Sequence, residues 1–69
     1  MQAAVANSLA IRLWKRGMTQ QAFGVLRALK ECRPRRWSVV SSLLVARLGA
    51  ECGALQEASE ILDSTGGFD

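Results

Sequence analysis

Apolar residues recur every three or four positions along most of this chain, which is the spacing of one face of an α-helix. The pattern divides the chain into four segments, and no run alternates between apolar and polar residues as a half-buried strand does. The sequence therefore predicts an all-α protein of four helices. Their apolar stripes are Val5, Ala6, Leu9, Ala10 and Leu13; Ala22, Val25, Leu26 and Leu29; Trp37, Val40, Leu44 and Leu48, with Leu43 and Val45 at the edges; and Leu55, Ala58, Ile61 and Leu62.

Three breaks separate the predicted helices. Gly17 and Gly53 can adopt the left-handed backbone conformation that ends a helix, so each is expected to form a tight turn. Pro34 cannot continue a helix, and the third helix is therefore expected to begin at about Arg36. Thr19 is expected to cap the second helix through its hydroxyl.

The two halves of the chain repeat one motif. Gly17 and Ala22 form a Gly-x-x-x-x-Ala pattern that recurs at Gly53 and Ala58, 36 residues later, and a leucine lies four residues after each alanine. The glycine permits the turn, the alanine lets two helices approach closely, and the leucine fills the space beside them. A period in the mid-thirties is typical of helix–turn–helix repeats.

At these positions the chain resembles the tetratricopeptide family. The resemblance implies one domain, residues 1–69, of two antiparallel helix–turn–helix hairpins, with repeats at about residues 3–34 and 37–65. Two features depart from the family pattern: the offset is 36 residues rather than 34, and Gly49 occupies a position where the family prefers a bulky residue. The matching residues are Leu9-Ala10, Leu13, Gly17, Ala22, Leu26 and Pro34 in the first half, and Val45-Ala46, Gly53, Ala58 and Leu62 in the second.

The resemblance implies a non-catalytic protein–protein interaction module, an adaptor or small chaperone that binds a helix or segment of a partner. In the family, the first helix of each repeat lines the concave face, where leucines would anchor the partner and arginines would pair with its acidic groups. The alternative, that the leucines only hold the two hairpins together, remains open. The candidate partner-binding residues are Leu9, Arg12, Leu13, Arg16, Leu44, Arg47 and Leu48.

Charge is divided unevenly along the chain. Residues 1–36 carry eight Lys or Arg against one acidic residue, whereas residues 37–69 carry one Arg against five acidic residues. Arg33, Arg35 and Arg36 form the densest basic cluster and are candidates for contact with an acidic partner or with phosphate. Three interpretations remain open: a solvated face, docking to an acidic protein or head-to-tail self-association, and binding of nucleic acid, which the acidic second half disfavours.

Two narrower functions are compatible with this size and charge. The two-hairpin plan is similar to that of small tetratricopeptide-like chaperones of type III secretion, which hold an export subunit in the cytoplasm. The basic first half instead suits a structural or RNA-associated subunit of a larger assembly. Tight co-purification with one apolar helical protein would favour the former, and steeply salt-dependent binding to RNA the latter.

Catalytic and metal-binding residues are sparse. The chain has no histidine, and Cys32 and Cys52 lack the paired spacing of a zinc or redox site. Glu57, Glu60 and Asp63 have helical spacing, but they are predicted to lie on a solvated face, where their acidity would be ordinary. We therefore expect no enzymatic activity, no cofactor, no metal and no small-molecule substrate.

The cysteines and the hydropathy pattern bear on location. Cys32 and Cys52 are interpreted as free thiols in a reducing compartment, which predicts the cytoplasm, with an organellar matrix as the alternative. The most apolar stretch, residues 39–46, contains two serines and is far shorter than the roughly 20 residues that cross a bilayer. No membrane span is therefore expected.

Overall fold

Four helices account for all the regular secondary structure in residues 2–32 and 37–64, the residues that the computed structural model describes. They are α1 (Ala3–Lys15), α2 (Thr19–Glu31), α3 (Val39–Glu51) and α4 (Leu55–Ser64). The prediction of an all-α protein built from helical hairpins is confirmed. Within the same residues, no helix combines the length and apolarity needed to cross a membrane.

The two hairpin turns are nearly identical. Gly17 and Gly53 have φ angles of +79° and +72°, the left-handed conformation that was predicted for them. The residue after each glycine donates its N–H to the carbonyl five positions earlier, over 2.9 Å in the first turn and 2.7 Å in the second. This pattern satisfies carbonyls at the end of a helix. Helices α1 and α3 also begin and end 36 residues apart, so the sequence repeat is a structural repeat.

The two hairpins, α1–α2 and α3–α4, are joined by packing of α2 against α3. Phe23 is almost fully buried in this core although it lies beside the predicted stripe of α2. The side chains of Trp14 and Trp37 are half-buried and pack against the core from its edge. The core cluster consists of Ala10, Ala22, Phe23, Leu26, Leu44, Val45, Leu48, Ala58 and Ile61.

Helix α1 packs through its small residues, which corrects the predicted stripe. Ala6 and Ala10 are fully buried, whereas Val5 and Leu9 are on the surface, with 59% and 45% of their area exposed. Alanine side chains let the helix axes come close together, and this close approach turns the larger neighbours outward. Leu55 of α4, also predicted to face the core, is 63% exposed.

Helix α3 is rotated relative to the prediction. Val40 was expected in the core but is exposed, and Val45, expected at an edge, is fully buried together with Ser41 and Ser42. Apolar residues occur on every side of α3, so the periodicity could not indicate which side faces inward. Contacts made by Ser41, described below, determine the orientation.

The helix starts differ from those predicted. Thr19 is the first residue of α2 rather than its cap, and the preceding Met18 makes no capping hydrogen bond through its side chain. Helix α3 is capped by Ser38, whose Oγ accepts a hydrogen bond from the Ser41 N–H at 3.0 Å. The predicted start at Arg36, and Pro34 before it, lie outside the described residues.

Helices α3 and α4 approach most closely at Gly49. A Cβ atom placed on this residue would lie 2.5 Å from the Cβ of Ala58 and 3.6 Å from Cε1 of Phe23. Glycine is therefore required here for steric reasons, which explains the departure from the bulky residue of the tetratricopeptide pattern. The counterpart 36 residues earlier is Leu13, which is half-buried.

Candidate functional site

Helices α1 and α3 lie side by side and run in the same direction. Asn7 near the start of α1 contacts Ser41 near the start of α3, and Trp14 near the end of α1 contacts Glu51 at the end of α3. Between these two contacts the helices leave a shallow, mostly apolar groove. It is lined by Ile11, Trp14, Lys15 and Leu44.

A closed ring of hydrogen bonds joins the starts of the two helices. The Asn7 side-chain amide donates to Ser38 Oγ over 3.2 Å, the Ser38 hydroxyl donates to Ser41 Oγ over 3.0 Å, and the Ser41 hydroxyl donates to Asn7 Oδ1 over 2.6 Å. Asn7 and Ser41 are buried. Each group in the ring both donates and accepts, so burying these polar atoms carries little penalty.

Hydrogen bonds to a carboxylate and a cation–π contact join α1 and α3 at the other end of the groove. The indole N–H of Trp14 donates to Glu51 Oε1 over 3.1 Å, and Arg47 Nε donates to Glu51 Oε2 over 2.8 Å. The Arg47 guanidinium also lies over the Trp14 ring, 5.5 Å from its centroid. Hydrogen bonds from Arg47 and then Trp14 lower the pKa of Glu51. Trp14 is thereby fixed as one wall of the groove.

The outward side of α3 continues this apolar surface. Val39, Val40 and Leu43 are each about half exposed or more, and Leu43 is 58% exposed. They occupy the side of α3 opposite the buried Ser41 and Ser42. We define the groove-face as Ile11, Trp14, Lys15, Val40, Leu43 and Leu44. An apolar surface of this kind, bordered by charged groups, is typical of a protein-interaction site.

The predicted binding residues are divided among three places. Leu48 is fully buried in the core, and Leu44, which is 7% exposed, forms the floor of the groove. Burial of both side chains fits the alternative that the leucines hold the two hairpins together. Arg47 lies at the groove but is engaged by Glu51. The other four predicted binding residues line a separate depression on α1, together with Lys15. These four are Leu9, Arg12, Leu13 and Arg16.

The predicted basic cluster of Arg33, Arg35 and Arg36 lies outside the described residues. Four residues of the groove-face were not among the candidate partner-binding residues: Ile11, Trp14, Val40 and Leu43. Their signal was present in the sequence: α3 has too many apolar residues for one buried side, so some of them had to face outward.

A second ion pair links the outer helices. Arg27 of α2 donates to both carboxylate oxygens of Glu57 of α4, with Nη2 2.8 Å from Oε1, and its guanidinium lies 5.3 Å from the Phe23 ring centroid. Hydrogen bonding from Arg27 lowers the pKa of Glu57. This corrects the expectation of ordinary acidity at Glu57. Among the described residues, no group of three or more Cys, Asp or Glu is arranged to hold a metal ion.

Acidification is expected to weaken this link between α2 and α4. Because the folded-state pKa of Glu57 is lowered, the folded chain binds fewer protons, and the stabilisation is present above the ordinary value of 4.5 and lost as the pH falls through the folded-state value. In Glu57→Gln, the melting temperature should therefore fall less steeply below about pH 4.5.

Thermal unfolding followed by circular dichroism across this pH range measures the effect. The matched control is Glu60→Gln on the same helix, which leaves the Arg27–Glu57 pair in place and should keep the wild-type slope. A Glu57→Gln slope equal to that of the wild type would show that the pair contributes nothing to stability.

Comparisons with protein-family models, with curated proteins and with solved structures return no match for this chain. Fold and site together define a small protein of two stacked helical hairpins, with an apolar groove between its two parallel helices.

Proposed function

We propose that this chain is a non-catalytic protein-binding module of the tetratricopeptide type, and that its groove-face receives a helix or extended segment of a partner. The observation that carries the proposal is the two-sided apolar character of α3. Leu44, Val45 and Leu48 fill the core from one side, while Val40 and Leu43 remain uncovered on the other. A helix that is apolar on all sides is normally buried on all sides.

The chemistry of the groove-face indicates the character of the partner segment. Its walls, Ile11 and Trp14, and its floor, Leu44, are apolar, so the segment would present apolar side chains at helical or strand spacing. Lys15 stands at the rim of the groove and is exposed. Acidic residues beside the apolar anchors would complement this cation and raise the rate of association.

A reducing compartment such as the cytoplasm is part of this proposal. Cys32 and Cys52 carry free thiols, the first on the surface and the second half-buried. Disulfides would be expected between accessible thiols in an oxidising compartment.

Loss of one apolar side chain from the groove-face tests the proposed function. Leu43→Asp is expected to abolish capture of the natural partner from cells that make the protein, because it places a charge in the centre of the apolar surface. Lys15→Glu is expected to weaken capture of a partner with an acidic flank. Quantitative mass spectrometry of proteins retained by immobilised wild-type and variant chains measures both effects.

The matched control is Leu55→Asp, the same substitution at a similarly exposed leucine outside the groove-face. It should retain the partner at the wild-type level. A partner retained equally by all three variants would place binding elsewhere on the molecule. A partner that aggregates alone and stays soluble in the complex would assign the narrower role of chaperone.

A further inference from the structure

The structural repeat identifies a second surface, distinct from the groove-face. Helix α3 packs through Ser41, Val45 and Gly49, which lie one turn apart along one side; the first two are fully buried and Gly49 lies near Phe23 of α2. The α1 residues 36 positions earlier are less covered, because two of them are exposed and the third, Leu13, is half-buried. They form the head stripe, which consists of Val5, Leu9 and Leu13.

The exposure of the head stripe is unusual for its composition. Val45 is fully buried, whereas its counterpart Leu9 is 45% exposed, and Ser41 is fully buried, whereas its counterpart Val5 is 59% exposed. The stripe is therefore more apolar than the side of α3 that already packs on a helix. Leu9 and Leu13 also line the depression on α1, whose rim carries Arg12 and Arg16.

Helix α4 carries the corresponding surface at the other end of the molecule. In α2, Phe23 packs near Gly49 and Arg27 reaches Glu57, so this side of α2 receives the second hairpin. The α4 residues that follow Thr19, Phe23 and Arg27 by 36 positions are all exposed. They form the tail stripe, which consists of Leu55, Ser59 and Asp63.

The two helices that carry the stripes have opposite charges. Helix α1 contains Arg12 and Lys15 and is followed by Arg16, with no acidic residue in its sequence. Helix α4 has no basic residue and carries exposed Glu60 and Asp63. The internal packing also sets a register, because Phe23 of α2 lies beside Gly49 of α3 and these two helices run in opposite directions. The counterparts of these two residues are Ser59 on α4 and Leu13 on α1, so Asp63, one turn beyond Ser59, falls beside Leu9 and next to Arg12.

We propose that copies of this chain associate head to tail, with the tail stripe of one copy packed on the head stripe of the next. The arrangement continues the packing of α2 on α3, and Asp63 of one copy lies within reach of Arg12 of its neighbour. The two surfaces in this contact differ, so every copy keeps one free head stripe and one free tail stripe. Association therefore proceeds beyond two copies and yields short linear stacks, as repeat units do within solenoid proteins.

Reversing the charges tests both the contact and its polarity. Arg12→Glu alone and Asp63→Arg alone should each weaken self-association of the 69-residue chain by about tenfold or more, because each replaces an attraction by a repulsion. The double variant should associate as the wild type does. An equimolar mixture of the two single variants should also associate, because the stripes of one variant complement those of the other.

Sedimentation velocity over a range of concentrations measures the mass in each case. The expected result for the wild type is a mass that rises past the dimer with concentration and falls as salt is added. Circular dichroism of each variant checks that the helices are retained. The matched control is Glu31→Lys, which reverses an exposed charge at the end of α2, outside both stripes, and should leave self-association unchanged.

Three results would overturn the proposal: a monomer at every soluble concentration, a mass that stops at two copies, or equal weakening by Glu31→Lys and Arg12→Glu. Because the groove-face takes no part in this contact, Leu43→Asp should leave self-association unchanged. Failure of head-to-tail association and failure of partner binding are therefore distinguishable.

Discussion

Gly49→Ala is expected to lower the free energy of unfolding by about 1–2 kcal/mol, although alanine is the better helix former. The gain in helix propensity is about 1 kcal/mol. A steric clash opposes this gain, because the new Cβ would lie 2.5 Å from the Cβ of Ala58 and 3.4 Å from the carbonyl oxygen of Ala54. Neither neighbour is a flexible side-chain end, so α3 and α4 must separate, and such overpacking costs about 2–3 kcal/mol, the upper part of the usual range.

Gly24→Ala provides a matched control with the opposite sign. Gly24 lies within α2, and no atom outside its own helix backbone would come within 4 Å of a Cβ placed there. The same substitution should therefore raise the free energy of unfolding by up to about 1 kcal/mol. Urea denaturation measures both values, and each 1 kcal/mol should shift the melting temperature by about 4–8 °C in a domain of this size.

Two further variants of Gly49 separate a clash from other causes. Gly49→Ala combined with Ala58→Gly should recover part of the loss, because the second change removes the opposing Cβ. Gly49→Leu, which introduces the residue found at the counterpart Leu13, should abolish cooperative unfolding. If Gly49→Ala proved as stabilising as Gly24→Ala, the close approach of α3 and α4 would be wrong.

Asn7→Ala is expected to lower the free energy of unfolding by about 2–3 kcal/mol, the second large effect. The substitution removes two hydrogen bonds, one to Ser38 and one from Ser41. It also leaves the Ser41 hydroxyl, which is fully buried, without its acceptor. A buried donor left unpaired costs about 1–3 kcal/mol, which is more than the bond itself contributes.

Ser8→Ala, at the exposed neighbouring position on α1, is the control and should change the free energy of unfolding by less than about 0.5 kcal/mol. Adding Ser41→Ala to Asn7→Ala should restore part of the stability, because the stranded hydroxyl is removed. Denaturant titration of the two single variants and the double variant gives the coupling between them. Simple additivity of the two losses would show that the ring does not act as a unit.

Local signals in the sequence predicted the hairpins correctly. Gly17 and Gly53 adopt the positive φ angles that were expected of them, and Ala22 and Ala58 are buried where helices meet. These features depend on a few residues close together in the chain. Their physical cause, the lack of a side chain or its small size, can be identified from the residue type alone.

The orientation of the helices could not be predicted in the same way. In α3, Val40 and Val45 are equally suited to burial, and contacts with distant residues select which faces the core: Ser41 pairs with Asn7, 34 residues away, and Gly49 packs against Ala58. In α1, the choice between an alanine face and a leucine face depends on how closely the neighbouring helix approaches. The groove-face follows from these two rotations, so the sequence pattern could not indicate which side chains of α1 and α3 would line it.

The repeated turns have a consequence for the order of folding. Each hairpin joins helices separated by only a few residues, so both hairpins can form early from contacts that are local in sequence. The ring of Asn7, Ser38 and Ser41 spans more than thirty residues and closes only when the hairpins dock. Disruption of the ring should therefore mainly accelerate unfolding, while the rate of folding stays close to that of the wild type.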